Sequence, residues 1–116
     1  MIDFDKGLGA IPKVLEALQL RAKVAMHNIA NQNTPGYQRY TVRFEEELRR
    51  AHERGEDGST VSPKVERVTD GPPGQNNVSV IDETATLEKV RLMHELFTRR
   101  AGSYYQRLNK AIFGRG

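Results

Sequence analysis

Apolar residues gather into two stripes along this chain, one toward each end. Ile11, Leu15, Leu18, Ala22, Ala25 and Ile29 follow one another at intervals of 4, 3, 4, 3 and 4, the spacing that lines one side of an α-helix with a heptad-like period. It predicts a helix over 10–31. Pro12 suits its first turn, where a missing N–H costs nothing, and Lys13, Glu16, Arg21 and Lys23 occupy other faces. A second stripe, through Leu87, Val90, His94, Phe97, Ala101, Tyr104, Leu108 and Ala111, runs at intervals of 3, 4, 3, 4, 3, 4 and 3. It predicts another helix, ending near Phe113 and Gly114, with Arg107, Lys110 and Arg115 placed well for the negative end of the helix dipole.

The segment between the stripes is weaker. Asn31-Gln32-Asn33-Thr34-Pro35-Gly36 stops the first helix: Pro35 steers Thr34 out of the α region, and Pro-Gly suits the two central positions of a type II turn, so the chain must bend sharply there. Tyr40, Val42 and Phe44 alternate with Thr41 and Arg43 as a short extended piece, and Phe44, Leu48 and Ala51 then return to helical spacing. A short helix over 44–54 follows, with Glu45 to Glu47 at its start and Arg49, Arg50 and Arg54 near its end. From Gly55 to Ser79 the chain carries four Gly and three Pro among scattered Val residues, which predicts a loop with at most one short strand. Asp82, Glu83 and Thr84 then supply acidic and capping groups to the last helix.

The expected fold is therefore mainly α: long N- and C-terminal helices forming an antiparallel coiled-coil-like pair, a short third helix, and an irregular or partly extended middle. All 116 residues form one domain, divided as 1–36, 37–54, 55–81 and 82–116. Burying one Leu-sized side chain stabilises by about 1.5–3 kcal/mol, whereas ordering each residue costs on the order of 1–2 kcal/mol of backbone entropy. Two helices alone leave much of each stripe wet, so neighbouring copies are expected to complete the burial. The assembly seam expected on this reasoning comprises Ile11, Leu15, Leu18, Ala22, Ile29, Leu87, Val90, Phe97, Tyr104 and Leu108.

Composition narrows the functional classes. Hydrophobic residues make up 37% against 28% charged, so the chain must concentrate its apolar groups to fold at all. A formal charge of +3 with both signs interspersed does not call for a nucleic-acid partner. The absence of Cys excludes disulfides, thiolate catalysis and Cys-ligated metals. The opening residues have no basic and then apolar signal pattern, and no run of about 18 apolar residues occurs. Neither a cleavable signal nor a membrane span is expected.

No catalytic constellation emerges. His27, His52 and His94 are too far apart for the local pairing of a helical metal site. His94 reads as a polar residue tolerated in the seam, with roles in register or in titration on assembly open to it. Gly71-Pro72-Pro73-Gly74-Gln75 lacks the Gly-Lys-Ser/Thr of a phosphate loop, and Asn77-Val78-Ser79 is a glycosylation sequon of a kind common by chance. Arg99, Arg100, Arg107, Lys110 and Arg115 read as a solvated helix face, since no aromatic stacking platform accompanies them. No metal, cofactor, nucleic acid or small-molecule substrate is expected.

One segment is specific. Asn28-Ile29-Ala30-Asn31-Gln32-Asn33-Thr34-Pro35-Gly36-Tyr37 closely resembles the Asn-x-Ala-Asn-x-x-Thr-Pro-Gly-Tyr signature of bacterial flagellar rod and hook proteins, here directly after a heptad-patterned helix. The C-terminal half, through Asn76-Asn77-Val78, Leu87, Leu92, Tyr105, Leu108 and Ala111-Ile112-Phe113-Gly114-Arg115, is similar to the proximal rod type within that family. A short middle and the placing of His94 and Tyr104-Tyr105 depart from it. The resemblance implies a structural subunit and not an enzyme, exported by the flagellar type III apparatus without a cleaved signal. It implies assembly in the periplasm, as part of the basal-body rod that transmits torque. The implied partners are copies of itself, other rod proteins, the basal-body ring or a rod-base adaptor, and the export apparatus. Alternative readings are another rod type of the same family, or a cytoplasmic helical adaptor that binds a partner helix.

Overall fold

The structure, a computed structural model, describes residues 9–113, apart from the side chains at positions 104, 105, 107–109 and 111–113. Three helices and two short strands follow in the order α1 (Ile11–Ala30), β1 (Tyr40–Arg43), α2 (Glu45–Glu53), β2 (Lys64–Arg67) and α3 (Val80–Phe113). At 1.5 Å per residue α1 is about 30 Å long and α3 about 51 Å, which accounts for most of the 61 Å length of the molecule.

α1 is the element on which the others pack. Its 20 residues begin at Ile11 with Pro12 in the first turn, and they end at Asn31, whose N–H donates back to the His27 and Asn28 carbonyls at 3.2 and 3.0 Å. On one side Ala17 joins Phe44, Ala51 and Val61 in the buried cluster, with Val14 and Leu48 against it. Small side chains at 17 and 51 lie where α1 meets α2. Arg21 reinforces this contact by pairing with the Glu45 carboxylate and donating to the Val42 carbonyl at 3.1 Å. Gly58 closes the same corner. Its φ is +82°, and a Cβ there would lie 2.6 Å from Leu48 Cδ1 and 3.1 Å from Ala10 Cβ, so only Gly fits.

α3 lies along α1. Asn28, near the C-terminal end of α1, meets Glu83 in the first turn of α3, while Val14 and Phe97 line one groove toward the other end. The pair is therefore antiparallel, and Ile11 falls opposite a point about 17 residues beyond Glu83. The remainder of α3 extends past the described part of α1. Val90 is buried, and Leu87, Met93, His94, Phe97 and Ala101 are half-buried.

β1 and β2 pair antiparallel, with Tyr40 opposite Arg67, Thr41 opposite Glu66, Val42 opposite Val65 and Arg43 opposite Lys64. The predicted loop thus contains a strand that gains order by borrowing hydrogen bonds from β1, although all four of its residues are exposed. The last helix starts at Val80 rather than 82. Ser79 accepts from the Asp82 N–H at 3.3 Å, which makes Ser79 the residue that caps this helix.

Candidate functional site

The signature residues build a polar junction that ties the end of α1 to β1 and to the start of α3. Asn28 is 0% exposed and uses all four of its hydrogen-bonding valences. Its Nδ2 donates to the Tyr40 carbonyl at 2.8 Å and to Glu83 Oε1 at 3.2 Å. Its Oδ1 accepts from Tyr37 Oη and from the Tyr40 N–H, both at 2.9 Å. Asn28 therefore does for the outer edge of β1 what a third strand would do, pairing both backbone groups of Tyr40. Burial, with Tyr40 beside it, pushes the Tyr37 phenol above its ordinary pKa, so it remains a neutral donor.

The turn supplies the rest of the scaffold. Thr34 Oγ1 donates to Asn31 Oδ1 at 3.0 Å while Asn31 Nδ2 donates to the His27 carbonyl at 2.9 Å, which locks the helix end. Pro35 and Gly36 occupy the centre of a β-turn closed by the Tyr37 N–H on the Thr34 carbonyl at 3.2 Å. Gly36 has φ +72°, the positive value that a type II turn requires at this position. Thr34, Pro35, Gly36 and Ala30 are exposed, and Asn31 and Tyr37 half-buried. Tyr37, Tyr40 and His27 form a surface aromatic group, with ring centres 6.0–6.3 Å apart, and Arg67 lies 5.0 Å over the Tyr40 ring.

Four further residues join the junction that sequence reasoning did not single out for it. Asn76 Nδ2 donates to the Asn31 and Thr34 carbonyls, each at 2.8 Å. Asn77 Oδ1 accepts from the Arg39 N–H at 2.6 Å, and its Nδ2 donates to the Val68 carbonyl at 2.7 Å. The sequon asparagine is thus fully engaged in holding the chain. Glu83, read as a capping group, is 4% exposed and faces Asn28, with the Arg39 guanidinium 3.6 Å away. A signal was present: Asn76-Asn77 and Glu83 are polar residues flanking an apolar start, but nothing local in the sequence says that they turn inward.

The expected seam residues divide. Ile11, Leu18 and Val90 are buried, while Leu15, Ala22, Ile29, Leu87 and Phe97 are half-buried. The side chains of Tyr104 and Leu108 lie outside the described residues. On α1 the buried arc is rotated from the predicted stripe toward Val14, Ala17, Arg21 and Asn28, by about a fifth of a turn at 100° per residue. That rotation leaves Leu15, Ala22 and Ile29 on a flank next to Met26, which is 56% exposed. Leu87 and His94 occupy the same side of the helix pair by helical geometry. On the opposite side of the pair, α1, β1, α2 and α3 enclose a groove of about 520 Å³ lined by residues including Val14, Val24, Phe44, Leu48, Met93 and Phe97.

Among the described residues no three His, Asp or Glu are grouped to hold a metal ion, and no helix is long and apolar enough to cross a membrane. The arrangement positions helices and presents apolar surface.

Comparison with known proteins gives the same direction. No family model matches the chain. It is 27% identical to the flagellar basal body rod protein FlgB of Borreliella burgdorferi over 131 aligned positions, covering 94% of this chain and 97% of that protein. It is 41% identical to FlgB of Escherichia coli strain K12 over 63 positions, covering 52% of this chain and 46% of that relative. With FlgB of Aeromonas hydrophila the identity is 35% over 74 positions, covering 63% and 56%. The chain is thus similar, nearly from end to end, to a FlgB flagellar basal body rod protein, and its junction is built from the residues that resemble the rod-protein signature.

Proposed function

We propose that this chain is a self-assembling structural subunit of the flagellar basal-body rod, packing its terminal helices against those of sister copies and of other rod proteins to transmit torque. The observation that carries this reading is the uncovered apolar surface of the helix pair. Leu15, Ala22, Met26, Ile29 and Leu87 line one side, and Ile81, Leu92 and Leu96 are 82%, 53% and 59% exposed on the outer face of α3. Apolar groups grouped in this way on a small polar chain mark an interaction surface. Two different surfaces on one subunit favour heterologous contacts, which propagate into a tube or filament instead of closing as a dimer.

On this reading the rod lies in the periplasm, the chain reaches it through the type III export apparatus without cleavage, and its base contacts the basal-body ring or an adaptor there. Long helices running along the axis supply the stiffness that rotation demands.

The test is complementation of a strain lacking the gene with the double variant Met26→Ser and Leu87→Ser. Met26 is exposed and Leu87 half-buried, so the isolated variant should keep its helix content and lose no more than about 1–2 kcal/mol in total, while basal bodies purified from the cells should lack the rod. Normal motility with intact rods in that strain would count against the reading.

A further inference from the structure

We propose that Glu83 fixes the register of α3 against α1, choosing one among several alignments that apolar contacts alone leave nearly equivalent. This alignment lies within the single chain and holds whether or not copies assemble. Residues 83, 90, 97 and 104 occupy one line of α3, and sliding α1 by seven residues along it would bring Asn28 opposite Val90 while presenting a similar run of side chains to Leu18 and Ala25. Heptad patterns tolerate such slips, and a single buried polar residue is the known means of excluding them.

The geometry supplies that residue. Across the contact between α1 and α3, the hydrogen bond from Asn28 Nδ2 to Glu83 Oε1 at 3.2 Å is a bond between two side chains that are 0% and 4% exposed. Asn28 carries its other three bonds, to Tyr37 and Tyr40, along with α1 and β1. Arg39, 3.6 Å from the same Glu83 oxygen, belongs to that unit as well. A one-heptad slip would therefore leave α1 and β1 internally satisfied but strip the buried carboxylate of both partners. His94, the polar residue within the predicted stripe, is half-buried on the open flank and makes no such bond across the pair among the described residues. Glu83 is a positioning residue: it acts by holding the two long helices in alignment.

The chain has no cysteine, so engineered pairs report register without background. Ala22→Cys is combined in turn with Thr84→Cys, Leu87→Cys, Arg91→Cys, His94→Cys or Thr98→Cys in the full chain, and the rate of disulfide formation is read for each pair at fixed oxidant. One partner position should dominate in the otherwise unaltered chain and in Glu83→Gln, which keeps an acceptor for Asn28. In Glu83→Leu a second position about seven residues away should gain at least tenfold relative to the first, with helix content unchanged. Moving the carboxylate one heptad along, in the double variant Glu83→Val and Val90→Glu, should shift the dominant position in the direction of the transplant. The same single maximum in Glu83→Leu as in the parent would overturn the proposal, since Asn76 and Asn77 would then hold the register alone. A spread in Glu83→Gln equal to that in Glu83→Leu would overturn it too, as would loss of helix content in both Glu83→Leu and the transplant, which would make Glu83 a requirement for folding instead of a choice of alignment.

Discussion

The two ends of the helix pair are held by different forces. At the Asn28 end, side chains and backbone from α1, β1, the turn and the first turn of α3 meet in directional hydrogen bonds of 2.6–3.2 Å. Toward the Val14 end, α3 meets α1 through apolar side chains bordering an open groove, and then runs on past it. Hydrophobic contacts are non-directional and roughly proportional to area, so they hold the second end together without specifying how. Buried hydrogen bonds fail steeply when geometry changes, so the first end determines where everything else lies. A subunit that packs among neighbours, as proposed for this chain, would gain from this division: one end is fixed within the chain and the other is left able to adapt.

The sharpest way to break the contrast is to remove the hub. Asn28→Leu keeps a similar volume but leaves the Tyr40 N–H and carbonyl and the Glu83 carboxylate without their partner. Each buried polar group left unsatisfied costs about 1–3 kcal/mol, while Arg39, 3.6 Å from the Glu83 carboxylate, still pairs that charge. Allowing for partial relaxation, a loss of roughly 3–5 kcal/mol is expected, read as a lowered urea midpoint. A loss under about 1 kcal/mol would show that the junction is no more specific than the apolar end.

How much of this was legible beforehand follows the same divide. Helix spacing depends on neighbours three and four residues away, and it located α1, α2 and α3 to within about two residues. The Thr34-Pro35-Gly36-Tyr37 bend was equally local, and Gly36 has the positive φ that its turn type requires. What could not be read were contacts set by distant partners. The strand at Lys64–Arg67 exists because β1 lies beside it, and four exposed residues left no alternating pattern to find. The α1 stripe predicts contact with the C-terminal helix and with neighbouring copies, whereas within the chain the helix packs on two elements, with Ala17 facing α2 and Leu18 and Ala25 facing the groove beside α3. The burial is rotated as a result. Glu83 looked like a helix-start carboxylate because that is the commoner role for an acid in a first turn. Only the approach of Asn28, 55 residues earlier, gives it another.

A smaller effect is expected where the junction meets the turn. Gly36→Val places a β-branched residue at φ +72°, with only an ordinary 3.5 Å contact to the Gly74 carbonyl. The cost is therefore in the backbone and not in a clash, about 1–2 kcal/mol. Because the turn aims Tyr37 at Asn28, rod assembly and swimming should also be impaired. An unchanged unfolding midpoint together with normal swimming would mean that the turn relaxes without disturbing the hub.

The smallest effect concerns the tie between α1 and α2, which tests whether directional bonds outside the junction carry comparable weight. The Arg21 guanidinium, hydrogen-bonded to the Glu45 carboxylate, holds the Glu45 pKa below its ordinary value against a smaller opposing effect of burial. A carboxyl with a depressed folded pKa binds protons more weakly in the folded than in the unfolded chain. It therefore contributes stability that is fully present above the ordinary carboxylate value and is lost as pH falls through the lowered folded value. The Glu45 side chain is 65% exposed, so solvent screening reduces the contribution to a few tenths of a kcal/mol, about the level of other surface pairs. Glu45→Gln should accordingly lower the unfolding midpoint slightly at neutral pH and flatten its decline below about pH 4.5, with parent and variant converging in acid. If the two curves instead stay parallel down to pH 3, the Arg21 pair contributes nothing that depends on the Glu45 charge. The directional part of the fold would then be confined to the junction.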